Sequence, residues 1–238
     1  MRNGEKEQAI SRKVQLIIAE IGNCHFGDMA LAKEHIRVAK ECGADDVKMQ
    51  AFKPEDIKGS MPLEFYKKCA FSVDQCLDLM DYAKTNCGIS LFFSIFSEGF
   101  DELIRYQMLD KISASQNHNN SSHYIYDDEW SLLVSFKKDT PMYPLKQAQI
   151  LYATEYMPQI LDISHITKLK KYYKRRVGLS DHHVGIKACL EAHKRYEIHI
   201  IEKHFTLKKE RAFNGFIFRD TIHGMDPKEL ETLARAVK

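Results

Sequence analysis

Short apolar runs alternate with amphipathic stretches along this chain from Val14 onward. Eight runs have the length and the β-branched or aromatic character of strands: Gln15–Ile21, Asp46–Ala51, Ser90–Ser94, Lys111–Ser115, Met142–Lys146, Gln149–Ala153, Val177–Ser180 and Ile198–Lys203. Helical spacing separates them. Met29–Cys42 carries Ala30, Ala32, Ile36 and Ala39 and stops at Gly43. Val73–Thr85, Glu98–Met108, Asp128–Lys137, Ile163–Tyr173, Gly185–Tyr196 and Asp226–Val237 have the same character. Alternation of this kind predicts a parallel α/β fold, and eight strands predict a (β/α)8 barrel rather than a doubly wound sheet. Only Gln147 and Ala148 separate the fifth run from the sixth. A parallel crossover needs about a dozen residues, so either the helix between strands five and six is missing or one of these two strand assignments is wrong; a distorted barrel lacking that helix is expected. Polar, aperiodic Gln116–Asp127 is expected to form a long loop. Residues 1–13 form a polar segment ahead of a single barrel domain at 14–238.

Within a strand, alternate side chains share a face, and barrel chemistry sits at the C-terminal strand ends. Several strands become polar there. Strand one ends its Leu16–Ile18 face in Glu20. Strand two puts Asp46, Lys48 and Gln50 on one face, and strand three ends in Ser94. Strand four offers Lys111, Ser113 and Ser115, strand seven Gly178, Ser180 and His182, and strand eight Ile200, Glu202 and His204. A charge inside a barrel costs several kcal/mol unless it is paired or ligating, so this coincidence predicts a site. Two lysines suit an anionic substrate bearing phosphate or carboxylate. Two histidines from neighbouring strands suit a divalent metal with an open coordination sphere.

Composition narrows the classes. Lys and Arg total 35 against 33 Asp and Glu, a net +2, which gives no reason to expect nucleic acid or an anionic membrane surface. The basic run Lys168–Arg176 reads as a solvated helix face. The 6 cysteines contain no C-x-x-C pair, so reduced, buried thiols and a cytoplasmic location are expected. No apolar run is long enough for a membrane span.

The motifs Ile17–Asp28 (IIAEIGNCHFGD), Gly43–Phe52 (GADDVKMQAF), Gly178–Gly185 (GLSDHHVG) and Ile200–Leu207 (IIEKHFTL) resemble those of the sialic acid synthase family. Lys111–Ser115 (KISAS) and Ala153–Met157 (ATEYM) resemble its fourth and sixth strand ends. The resemblance implies a (β/α)8 enzyme that condenses phosphoenolpyruvate with an N-acetylated amino sugar. The products are a nonulosonic acid and phosphate, and Mn²⁺ or Mg²⁺ is required. It also implies roles by position. His182 and His204 would hold the metal, while Lys48 and Lys111 would hold phosphoenolpyruvate with help from Ser180. Glu20 would act beside the metal and sugar, and Tyr156 would line the sugar site. Gln50, Ser94, Ser113 and Glu202 complete the expected substrate-binding set.

The sequence also departs from the family pattern. Ser94-Ile95-Phe96-Ser97 replaces a Ser-Thr-Pro-Phe-like strand end, and Ser113-Ala114-Ser115-Gln116 stands where the fourth-strand motif continues to a glycine and an acidic residue. Lys208–Thr221 (KKERAFNGFIFRDT) stands where the family has a Gly-Pro-Asp loop, leaving open whether Asp220 substitutes. A C-terminal antifreeze-like domain, which in the family covers the partner subunit's site, is expected to be absent. A homodimer and a separate chain at the barrel mouth are both open. Two other functions remain alongside the synthase: a non-catalytic relative that binds sugar or phosphoenolpyruvate, and another metal-dependent barrel enzyme.

Overall fold

The computed structural model describes residues 14–57, 59–106, 109–113, 131–142, 145, 148–156 and 161–238. The apolar runs form one eight-stranded sheet: β1 (Leu16–Gly22), β2 (Asp46–Ala51), β3 (Ser90–Ile95), β4 (Leu109–Ser113), β5 (Ser131–Phe136), β6 (Ala148–Ala153), β7 (Val177–Asp181) and β8 (Ile200–His204). The order is β3-β2-β1-β8-β7-β6-β5-β4, with every hydrogen-bonded pair parallel. The sheet curls until β3 and β4, its two ends, come within 8 Å of each other between Cα atoms, which makes it a barrel.

Around it lie α1 (Met29–Glu41), α2 (Leu63–Cys69), α3 (Val73–Tyr82), α4 (Asp101–Ile104), α5 (His165–Tyr173), α6 (Lys187–Tyr196), α7 (Arg219–His223) and α8 (Pro227–Val237). Local chemistry fixes the longer helices. Asp28 caps α1 by accepting from the Ala30 and Leu31 amides, and capping boxes start α3 (Ser72 with Gln75) and α8 (Asp226 with Glu229). Each helix then buries one face against the sheet, as α1 does with Ala32, His35, Ile36 and Ala39. A short hairpin, β9 (Ala212–Phe213) and β10 (Phe216–Ile217), stands between β8 and α7.

The fifth strand is not Met142–Lys146. It is Ser131–Phe136, inside the stretch 128–137 that sequence spacing assigns to a helix. Leu132, Leu133, Val134 and Phe136 are all buried, because a barrel strand has helices on one side and the interior on the other. Such a run loses its period of two, and apolar periodicity alone cannot then separate it from a buried helix. The connection from β5 to β6 contains no helix among its described residues, but it starts from a different fifth strand than the one whose close spacing suggested a missing helix. The expected loop Gln116–Asp127 lies outside the described residues. All 6 cysteines are free thiols. Among the described residues no helix is long and apolar enough to cross a membrane.

Candidate active site

Two-residue steps along the strands build the site. Inside the barrel Ile18, Phe92, Leu133, Leu151 and Ile200 pack into a small apolar cluster, separate from the larger core outside the sheet. One step toward the C-terminal strand ends, those inward positions become Glu20, Ser94, Ser135, Ala153 and Glu202. A second step gives Phe96 on β3's extension, Lys137 on β5's and His204 on β8. β2 adds Lys48 and Gln50, and β7 adds Ser180 and His182. These residues line one pocket, with about 730 Å³ of empty space, at the barrel mouth.

Its floor is a charge cluster. Lys48 Nζ lies 2.6 Å from Glu20 Oε2 and 2.9 Å from Glu202 Oε2, all three side chains being almost fully buried. Ser180 Oγ donates to Glu202 Oε1 at 2.7 Å and so fixes that carboxylate. One ammonium facing two carboxylates leaves a formal charge of −1. A bulge between Glu20 and Gly22 in the β1–β2 pairing turns the chain outward above the cluster. Gly22 has φ +51°, and a Cβ there would come 3.2 Å from Glu20 Oε1.

Above the floor stand the two imidazoles, with ring centroids 5.4 Å apart. His182 Nδ1 lies 2.9 Å from the Thr154 carbonyl, which can only accept, so the proton sits on Nδ1 and Nε2 keeps its lone pair. Thr154 Oγ1 also accepts from the His182 amide at 2.8 Å. Burial, helped by His204, holds the His182 imidazolium well below the usual histidine range. Burial, then Lys48 and Lys203, lowers His204 to about 3. Both rings are therefore neutral near pH 7. His204 Nδ1 and Glu20 Oε1 are buried without a hydrogen-bond partner among the described residues.

The donor set fits a divalent ion. A metal about 2.1 Å from an imidazole nitrogen lies roughly 3.2 Å from the ring centroid, so two ligating rings stand at most about 6.4 Å apart. The observed pair satisfies that limit. No group of three or more His, Cys, Asp or Glu side chains with ligating geometry occurs among the described residues. Two imidazoles would leave most of the coordination sphere to substrate and water.

Asp220 does reach this site. Its Oδ1 is 3.8 Å from His204 Nε2, and burial raises its carboxyl to about 7, against the lowering pull of His223 and Lys48. Thus α7 brings an acidic group beside His204. Asp220 also bounds a second pocket with Asn23, Tyr66, Phe218 and Arg219. The two pockets share Gln50, Phe96 and Tyr156. Gln50 is oriented by Asn23, whose Nδ2 donates to Gln50 Oε1 at 2.8 Å. The Tyr156 ring lies against His182, 4.3 Å between centroids and tilted by 40°.

Of the residues expected from sequence, Glu20, Lys48, Gln50, Ser94, Tyr156, Ser180, His182, Glu202 and His204 therefore meet at one mouth. Lys111 and Ser113 lie in β4, paired in register with Leu133 and Ser135. Their side chains are outside the described residues. Ser135, Lys137, Thr154 and His223 escaped the sequence reading. The first two repeat the same signal, Leu133-x-Ser135-x-Lys137, once the segment is recognised as a strand.

The fold and mouth define a (β/α)8 barrel with a histidine- and carboxylate-bearing pocket at its C-terminal face. The NeuB family model matches residues 137–238. An uncharacterised protein of Methanocaldococcus jannaschii is 29% identical over 93% of this chain and 69% of its own. The N,N'-diacetyllegionaminic acid synthase of Legionella pneumophila is 28% identical over 99% of this chain and 74% of its own. The crystal structure of the N-acetylneuraminic acid synthetase of Leptospira borgpetersenii superposes with a TM-score of 0.79 at 23% identity, over 95% of this chain and 83% of that one. The chain is thus similar to the sialic acid synthases, with the NeuB model covering its C-terminal part.

Proposed function

We propose that this chain condenses phosphoenolpyruvate with the aldehyde of an open-chain N-acetylated amino sugar, giving a nonulosonic acid and phosphate. The carrying observation is the convergence of neutral His182 and His204 above the Glu20–Lys48–Glu202 cluster. The three-carbon acid lies over Lys48, Ser94 and Ser180, with Lys111 and Ser113 contributed by β4. The acceptor occupies the adjoining pocket, where Gln50 and Tyr156 face it, with Glu202 on the floor beside them.

In this reading a bond forms between the methylene carbon of phosphoenolpyruvate and the aldehyde carbon. Water adds to the carbon that bore phosphate, and the C–O bond breaks as phosphate leaves. His182 and His204 would hold Mn²⁺ or Mg²⁺, which supplies Lewis-acid polarisation of the aldehyde oxygen. Asp220, with its carboxyl raised to about 7, is suited to give that oxygen a proton. Glu20, whose Oε1 is buried without a partner, is suited to take one from the attacking water. Lys48 bridges Glu20 and Glu202. The test is phosphate release with phosphoenolpyruvate, Mn²⁺ and a panel of acetamido-hexoses. No phosphate with any acceptor, from folded protein, would sink the proposal.

A further inference from the structure

We propose that Lys137, just beyond β5, is the cation that binds the phosphate-bearing end of the three-carbon substrate. The inference rests on the reading of the mouth as a phosphoenolpyruvate site. Its basis is strand parity. Leu133 belongs to the apolar cluster inside the barrel, and Ser135, two residues on, is buried in the pocket wall. Lys137 continues that face and lines the same pocket, half-buried. The next residue turns the opposite way. Lys138 Nζ reaches Asp162 Oδ2 at 3.1 Å, outside the barrel, and Asp162 is held by the Ser164 amide and hydroxyl. That contact anchors the chain on one side and leaves Lys137 on the other.

Charge on the floor favours a further cation at the mouth. Glu20, Lys48 and Glu202 together carry −1. Asp181 and Lys203 cancel each other through a 2.7 Å ion pair. A phosphorylated carboxylate brings about three negative charges at neutral pH, and such a floor would repel it. Among the described residues, Lys137 is the cation of this pocket that makes no ion pair with a carboxylate. By register Lys111 is level with Leu133, so Lys137 lies four residues nearer the mouth, where a phosphate would be released to solvent.

Titration calorimetry with phosphoenolpyruvate and, separately, inorganic phosphate tests this on the wild-type chain, Lys137→Met, Lys137→Arg and Lys138→Met. Expected are a loss of about tenfold or more in phosphoenolpyruvate affinity for Lys137→Met, near-wild-type affinity for Lys137→Arg, and no change for Lys138→Met. Because Lys137 is half-exposed, melting temperature should stay level across the set. Equal affinity in the wild type and a folded Lys137→Met would overturn the role while leaving the proposed reaction standing. Phosphate binding that depends on Lys137, with no phosphoenolpyruvate binding, would keep the lysine's role and overturn the reaction. A wild-type chain that binds neither anion overturns both.

Discussion

Replacing Lys203 by methionine should destabilise the barrel strongly, and replacing Asp181 in the same molecule should return much of the loss. The two side chains are fully buried and joined by a 2.7 Å contact between Nζ and Oδ2. Lys203 Nζ also donates to the His183 carbonyl at 2.6 Å, while Asp181 Oδ1 accepts from His183 Nδ1 at 2.6 Å and from its amide at 3.1 Å. Burial alone would raise the Asp181 carboxyl. The His183 hydrogen bond and the Lys203 charge overcome it and hold that carboxyl well below the ordinary carboxylate range.

At 2.7 Å and an effective dielectric constant of about 20, the attraction is about 6 kcal/mol, comparable with several kcal/mol of desolvation for each ion. The pair's net contribution is therefore small, but an orphaned Asp181 would be expensive. Lys203→Met should cost about 3–5 kcal/mol, and the Asp181→Asn, Lys203→Met double variant clearly less. Urea melts of the wild type, both single variants and the double variant give the coupling energy, provided the slope with denaturant stays constant. Additive losses, or a Lys203→Met midpoint equal to wild type, would refute the argument.

Three further outcomes follow from separate parts of the molecule. Mn²⁺ should raise the melting temperature of the wild type but not of His182→Ala or His204→Ala, and an equal rise in all three would remove those rings as ligands. Gly178→Ala should cost about 1–3 kcal/mol by urea melts, because its Cβ would sit 2.5 Å from Leu151 Cδ2 and 2.7 Å from the Ile200 carbonyl; a neutral change would show that β7 can shift. His35 is locked neutral, its Nδ1 bonded to the Leu31 carbonyl and its Nε2 accepting from the Leu207 amide, and burial lowers it to about 4. Its stabilisation is thus present above the unfolded value of about 6.5 and is lost as pH falls toward 4, about 2 kcal/mol between pH 7 and 5. His35→Gln should flatten that pH dependence by the same amount, whereas parallel wild-type and variant curves would contradict it.

The barrel was legible because most strands end in a polar step that periodicity alone exposes. Glu20, Ser94, Glu202 and His204 each follow an apolar inward neighbour or share parity with one, while Lys48 and Ser180 stand out as polar positions of the same strand ends. Where both faces of a strand are buried, as at Leu132–Phe136, that alternation disappears and the segment passes for a helix. Lys137 was lost with it. Asp220 was obscure for a different reason. It reaches the site from α7, after a hairpin whose length and turn set its position, and strand parity has no reach there.

Register ties this site to the stability of the fold. On β7 and β8 the residues alternate between two clusters. Ser180, His182, Glu202 and His204 turn their side chains to the mouth, while the alternate positions Asp181, His183 and Lys203 lock their buried side chains to one another. Ser180 pairs with Glu202 and Asp181 with Lys203 along the same ladder. A slip of one residue would drive the Asp181 and Lys203 charges into the mouth and turn His182 and Glu202 into the outer packing. Neither cluster could then keep its partners. The ion pair at Asp181–Lys203 therefore does more than balance two buried charges: it excludes the registers in which His182 and His204 could not meet. On this argument, variants at that pair that still fold should retain Mn²⁺ stabilisation only where β7 and β8 keep their native pairing.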